Sequence, residues 1–186
     1  MHQRRPIQIL PRYEINQFDK PPQFSARERK HFFFLSPAIR EKVRNAKGSI
    51  NPIGLVLQYG YFKATGKFYL IEQFRTGDIR YIAKQLNMVL IQKFQSVYSD
   101  RSRLNHKKSI LEILGYQPFK NETALFQQII EGLVAKQISP RKIVLSVIDL
   151  LSDKKIEVPN YTTFADEITL QYKKFEDNQP SQIQCI

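Results

Sequence analysis

The sequence predicts an all-α protein made of two small helical bundles in tandem, each containing a helix-turn-helix-like pair. Three observations carry this expectation. Apolar residues recur at spacings of three and four along most of the chain. The runs open on Ser, Thr, Asp or Asn, and twice on Ser-Pro (Ser36-Pro37 and Ser139-Pro140), residue types that serve or tolerate the unpaired N–H groups of a first helical turn. Gly48, Gly66 and Gly115 stand where runs end.

Residues 1–24 carry Pro6, Pro11, Pro21 and Pro22 among Arg4, Arg5, Arg12 and Lys20 without a sustained period, and are expected to form an extended basic arm. The first module is then expected over 25–98. Ser25 caps a short helix in ARERKHFFFL, and Ser36-Pro37 opens another that ends at Lys47-Gly48. Its inner face is Ile39, Val43 and Ala46. Arg40, Arg44 and Lys47 recur on another face, as a solvated surface or as a row of phosphate contacts. Ser49 begins the most apolar helix, INPIGLVLQYGYFKATG, whose Ile53, Val56, Leu57 and Phe62 place it at the centre of the bundle. KFYLIEQF is a connector, and Thr76 caps the next helix.

The stretch 79–98 predicts a helical corner. Ile79, Ile82, Ala83 and Leu86 share one face, and Leu90, Phe94 and Val97 form the inner face of a second helix. Ala83 lets two helices cross closely. Four residues later Asn87 takes the left-handed turn, a role shared by Gly and Asn. Gln92, Lys93, Gln95 and Ser96 are left pointing outward. An ordinary helical hairpin without a ligand has the same pattern.

A second module is expected over 99–176. Asp100 caps RSRLNHKKSILEIL, with Leu104, Leu111 and Leu114 facing in and Arg103 and Lys107 one turn apart outside. Asn121 caps a helix with the stripe Leu125, Ile129 and Leu133, and Ser139-Pro140 opens one with Ile143, Val147 and Leu151. After the bend IEVPNY, Thr162 or Thr163 caps a last helix carrying Phe164, Ile168, Tyr172 and Phe175, giving a second helix-turn-helix with a longer turn. Residues 177–186 are expected to form a flexible tail.

Composition narrows the function classes. The chain has 186 residues, 42% of them apolar, and a formal charge of +12 with a pI near 9.8. An anionic polymer or surface is the natural partner for such a charge. Apolar runs break well before the ~20 residues of a membrane span, and MHQRRPIQILPRY lacks a signal-peptide pattern. With Cys185 as the single cysteine there is no disulfide framework or thiolate cluster. These features point to a cytoplasmic, nucleoid-associated protein with no membrane contact.

Enzyme chemistry finds thin material. His2, His31 and His106 lack metal-pair spacing, and no Gly-rich phosphate loop or GxSxG elbow occurs, so no catalytic residue, metal or cofactor is expected. Asp149 and Asp153 lie beside Lys154 and Lys155, as in a surface salt-bridge network. DNA binding asks for what is present: cations for phosphates, helix N-termini, and outward amides or hydroxyls to read base edges. In the first module Gln92 and Lys93 would enter the major groove while Arg40, Arg44, Lys47, Arg80 and Lys84 hold the backbone. In the second, Asn160, Tyr161, Thr162 and Thr163 stand where recognition helices make contacts, although capping alone accounts equally for the two threonines.

Several dispersed motifs, in one order, resemble the N-terminal region of the Tn-three family of class II replicative bacterial transposases. FFFLSPAIREKVRNAKGSINPIGLVLQYGYFKATGKF resembles the family's opening run, a basic helix followed by an N-x-x-G helix, here Asn51 to Gly54. YIAKQLN is similar to its Ala-x-Gln-Leu-Gly corner, with Asn87 where the family usually has Gly. Tyr98, Arg101, Arg103, His106, Ile110 and LGYQPF resemble its next block, and VPNYTTF its Pro-x-Tyr/Leu-Thr-Thr-Leu turn, with Phe164 for the usual Leu. The resemblance runs from about Phe24 to Phe175. It implies paired helical modules that bind the duplex DNA of transposon terminal inverted repeats, with Asn51, Arg101, Arg103, His106 and Lys107 added to the contact set. It further implies an RNase H-like catalytic core in the full transposase, absent from this sequence, and association with a second copy or with the transposase. The alternative is a helical protein-interaction module, or a transposition helper, whose basic faces meet the transposase or another acidic partner.

Overall fold

The computed structural model describes residues 7–89 and 94–178, with Gln95 as backbone only. The helices are α1 (Arg12–Phe18), α2 (Ala26–Phe32), α3 (Pro37–Asn45), α4 (Ile50–Thr65), α5 (Thr76–Gln85), α6 (Phe94–Val97), α7 (Asp100–Leu114), α8 (Thr123–Ala135), α9 (Pro140–Asp153) and α10 (Tyr161–Asp177). No strand forms among the described residues; Gln117 and Ile156 make one isolated parallel bridge. The fold is all-α.

α4 is buried on every side from residue 52 to residue 62, so it has to be surrounded. α2, α3, α5 and α7 pack around it. Two glycines make that possible. Gly54 lies under the Tyr98 ring and Gly60 under the Phe33 ring, each so close that a Cβ would enter the ring's van der Waals envelope. The glycine of the Asn51-x-x-Gly54 motif therefore has a packing reason. α5 is fixed by a buried carboxylate: Asp78 is fully buried, and accepts from Arg29 Nε at 2.7 Å and from the Tyr61 hydroxyl at 2.8 Å. A buried charge is tolerated when paired and hydrogen-bonded in this way. Burial, then the Asp78 charge, pushes the Tyr61 phenol well above its ordinary pKa.

The caps show how local chemistry starts the helices. Ser25 forms a capping box with Glu28, and Ser36 accepts from the Ile39 N–H ahead of Pro37. Asn87 does adopt the left-handed conformation (φ 53°), with the Met88 N–H returning to the Ala83 carbonyl at 2.9 Å.

The apolar residues form two cores. One gathers residues of α3 to α7 with Phe24, Phe33 and Leu35; the other gathers α8, α9 and α10 with Ile156 and Val158. Their boundaries differ from the expected modules. α7 places Ile110 and Leu111 in the first core, so the division at Ser99 does not separate the cores. Ile9 and Leu10 lie in the second core and α1 follows them, so the described part of the expected arm, residues 7–24, is not extended; residues 1–6 lie outside the described residues. The seven residues of α1, about two turns between prolines, are too short to show a period.

Smaller corrections have local causes. Leu104, expected to face in, is 55% exposed because α4 takes the Ile110 side of α7. On α8 the buried set is Phe126, Ile130 and Val134, with Leu125, Ile129 and Leu133 only partly covered. Asn160, rather than either threonine, caps α10; Glu122 stands at the α8 N-cap in place of Asn121, and Arg75 precedes α5 in place of Thr76. Val97 is 53% exposed. Leu90 lies outside the described residues.

Gly60→Ala is expected to cost about 1–3 kcal/mol, because the Phe33 ring is hemmed in by Phe24, Tyr61 and Tyr81 and has no room to retreat. Gly132→Ala in α8, with open space around its Cβ position, should instead stabilise by about 0.5–1 kcal/mol. Urea unfolding of both variants checks the contrast; equal effects would contradict it.

Candidate nucleic-acid interface

The cationic residues follow from how α4 is enclosed. α3 turns Ile39 and Val43 inward, which leaves Arg40, Arg44 and Lys47 exposed. α5 buries Ile79, Ile82 and Ala83, leaving Arg80 and Lys84 exposed, and Arg101 is exposed in the first turn of α7. Among the described residues none of these six makes an ion pair. They are therefore available to an external anion.

α2 extends this surface. Arg29 reaches Asp78 near the start of α5, and Gln85 at its end donates to the Phe33 carbonyl at 3.1 Å, so side chains tie α2 to both ends of α5. The exposed Arg27 and Lys30 of α2 thus stand on the helix adjoining Arg80 and Lys84. Sequence reasoning missed them, although their i, i+3 spacing in ARERKHFFFL is a helical-face signal.

Other expected contacts are already engaged inside the protein. Asn51 donates to the Lys47 carbonyl at 3.1 Å, joining the end of α3 to the first turn of α4. Arg103 Nε pairs with Asp100 at 3.0 Å. Lys107 pairs with Glu157, which is largely buried and also accepts from the Phe119 N–H at 3.3 Å. His106 is stacked on the Tyr98 ring, and its Nδ1 lies 2.7 Å from the Tyr98 hydroxyl. Gln58, nearly fully buried, donates to that hydroxyl and to the Arg103 carbonyl. With the Gln58 amide donating, the Tyr98 O–H donates to a neutral His106. Burial holds the His106 pKa down at about 4.

The α10 N-terminus is likewise occupied. Asn160 Oδ1 accepts from the Thr163 N–H at 3.0 Å and from the Thr163 hydroxyl at 2.8 Å. The Tyr161 N–H donates to the Asp19 carboxylate at 3.1 and 3.2 Å, and Asp19 pairs with the buried Lys67 at 2.8 Å. Burial lowers the Lys67 pKa, opposed by Asp19. A carboxylate of the same chain thus sits where a phosphate was expected. Of the four residues proposed here, Thr162 is the exposed one without such a role.

The structure therefore divides the candidate set. Arg103, Lys107, Asn160 and Thr163 come together along adjoining cavities between α7 and α10. Arg40, Arg44, Lys47, Arg80 and Lys84 line none of the cavities described for the fold. Gln92, Lys93 and the Gln95 side chain lie outside the described residues.

The fold and its surface define an all-helical, strongly basic protein with two cores. The chain belongs to the family of a domain of unknown function, DUF4158, whose model matches residues 9–169. That match starts at Ile9, buried in the second core, and ends inside α10, so it takes in both cores and the N-terminal segment. No curated protein matches the chain. Among the described residues no group of three or more His, Cys, Asp or Glu is placed to hold a metal, and no helix is long and apolar enough to cross a membrane.

His106 gives the protein a pH-dependent stability. Above the ordinary histidine pKa near 6.5 it is neutral both folded and unfolded. As pH falls from about 6.5 toward about 4 the unfolded chain takes up a proton that the folded chain refuses, and this part of the stability is lost. Urea midpoints across that window should fall more steeply for the native chain than for His106→Gln. Parallel pH profiles would contradict the assignment.

Proposed function

We propose that the chain is a sequence-specific duplex DNA-binding protein, the recognition part of a transposase of the Tn-three kind, which holds the terminal inverted repeats of its transposon. The observation that carries this reading is the exposed, unpaired cationic set Arg40, Arg44, Lys47, Arg80, Lys84 and Arg101 on a chain of charge +12. Cations without carboxylate partners keep their full attraction for phosphates, whereas Arg103 and Lys107 would first have to leave Asp100 and Glu157. Arg27 and Lys30 extend the phosphate-binding surface beside α5. Thr162 offers an exposed hydroxyl at the first turn of α10, where a base edge can be read. The order of motifs that resembles the transposases supports transposon ends as the DNA. Within these residues the role is recognition rather than strand cleavage.

Fluorescence anisotropy with a duplex carrying the inverted repeat, titrated with salt, tests the reading. The log–log slope should steepen by about −0.9 for every phosphate neutralised, and a slope near zero would contradict it. Arg44→Ala should weaken every duplex alike and reduce the slope by about one, while Thr162→Val should narrow the gap between the cognate and a random duplex. The reverse pattern would show that the two residues have exchanged roles.

A further inference from the structure

We propose that the trough running beside α7 docks an acidic amphipathic helix of a partner protein. Its central cavity, about 710 Å³, is bounded on one side by Leu104, Lys107, Lys108 and Leu111 of α7, an i, i+3, i+4, i+7 face, and on the other by Phe119 and Lys120. It opens at one end into a cavity of about 420 Å³ that reaches Arg103, and at the other into one of about 380 Å³ that reaches Gly115. Over the thirteen residues from Arg103 to Gly115 the trough is ~18 Å long, the length of about three helical turns.

Its chemistry is mixed in a particular way. Leu104 stands 55% exposed on the wall, above the buried Leu111 and beside the partly buried Phe119. Lys108 and Lys120 are exposed at the two rims. Lys108 lies 4.0 Å from Glu112, with both side chains mostly in solvent, a pairing of little energetic weight. Lys107 is neutralised by Glu157, and at the rims Lys108 and Lys120 together outweigh the single carboxylate of Glu112. An apolar wall between cationic rims matches a helix with leucine-type residues on one face and Asp or Glu flanking it.

A nucleic-acid strand fits less well. A phosphodiester chain gains from donors and from aromatic faces on which bases stack. Leu104 supplies neither, and the Phe119 ring is engaged edge-on with Phe126 at 5.1 Å. The inference does not rest on the phosphate contacts of α3 and α5, since Arg40, Arg44, Lys47, Arg80 and Lys84 do not line the trough.

The test uses the full chain and three labelled probes followed by anisotropy: a synthetic helix with Leu at every third or fourth position and Glu between, a scrambled peptide of the same composition, and a single-stranded oligonucleotide. The designed helix should bind at least about tenfold tighter than the scrambled one. Leu104→Asp, and separately the pair Lys108→Glu with Lys120→Glu, should each weaken it by about tenfold or more. Leu104 is exposed enough for its variant to fold, which a thermal melt verifies, and both lysines are exposed. Equal binding of both peptides would reduce the trough to non-specific charge and overturn the proposal. So would binding of the oligonucleotide, in place of the designed helix, that is lost in both variants.

Discussion

The complete burial of α4 is the constraint on which the rest of this structure depends. A helix apolar on every face must be enclosed, and enclosing it takes the inner faces of α2, α3, α5 and α7. That demand draws α7 into the first core and sets Gly54 and Gly60 beneath two aromatic rings. It also decides where the charges go. With Ile39, Val43, Ile79, Ile82 and Ala83 turned to α4, the arginines and lysines of α3 and α5 have only solvent to face.

The N-terminal segment then ties the two cores together. Ile9 and Leu10 enter the second core, Phe18 packs edge-on against Tyr161 and Phe164, and the Lys67 ammonium lies 3.6 Å from the Phe18 ring centroid. Asp19 joins Lys67, just beyond the end of α4, to the first N–H of α10, while the Val158 N–H donates to the Gly66 carbonyl at 2.9 Å. A carboxylate at a helix N-terminus is favourable for the helix and, in the same act, removes that terminus as a place for an external anion. Stability and recognition compete at this point of the fold, and stability holds it.

Much of the local structure was legible because its causes are local. Ser25 and Ser36 start helices by side-chain capping within three residues, Pro37 and Pro140 take the first helical position after a serine, and Asn87 turns left-handed where a small residue precedes it by four. The stripe Ile143, Val147 and Leu151 is fully buried, with Val144 beside it. α8 is apolar on adjacent stripes that differ by one residue, about 100° of rotation, so periodicity alone does not choose between them. The long-range pairs were not legible at all. Arg29–Asp78, Lys67–Asp19 and Lys107–Glu157 join residues 49, 48 and 50 positions apart, and nothing local marks either member. That is why Lys107 reads as a contact in the sequence and carries an internal role in the structure, whereas Arg40, Arg44, Lys47, Arg80 and Lys84 keep the exposure that their helical faces implied.

The central claim is that unpaired cations of the first core, rather than the engaged ones between the cores, meet the DNA backbone. Lysine acetylation followed by mass spectrometry, with and without a saturating inverted-repeat duplex, tests it most directly. Lys47, Lys84 and Lys30 should be strongly protected by the duplex, while Lys67 and Lys107, already held by Asp19 and Glu157, should react slowly and equally in both states. Unchanged labelling of Lys47 and Lys84 under saturating duplex would contradict the account.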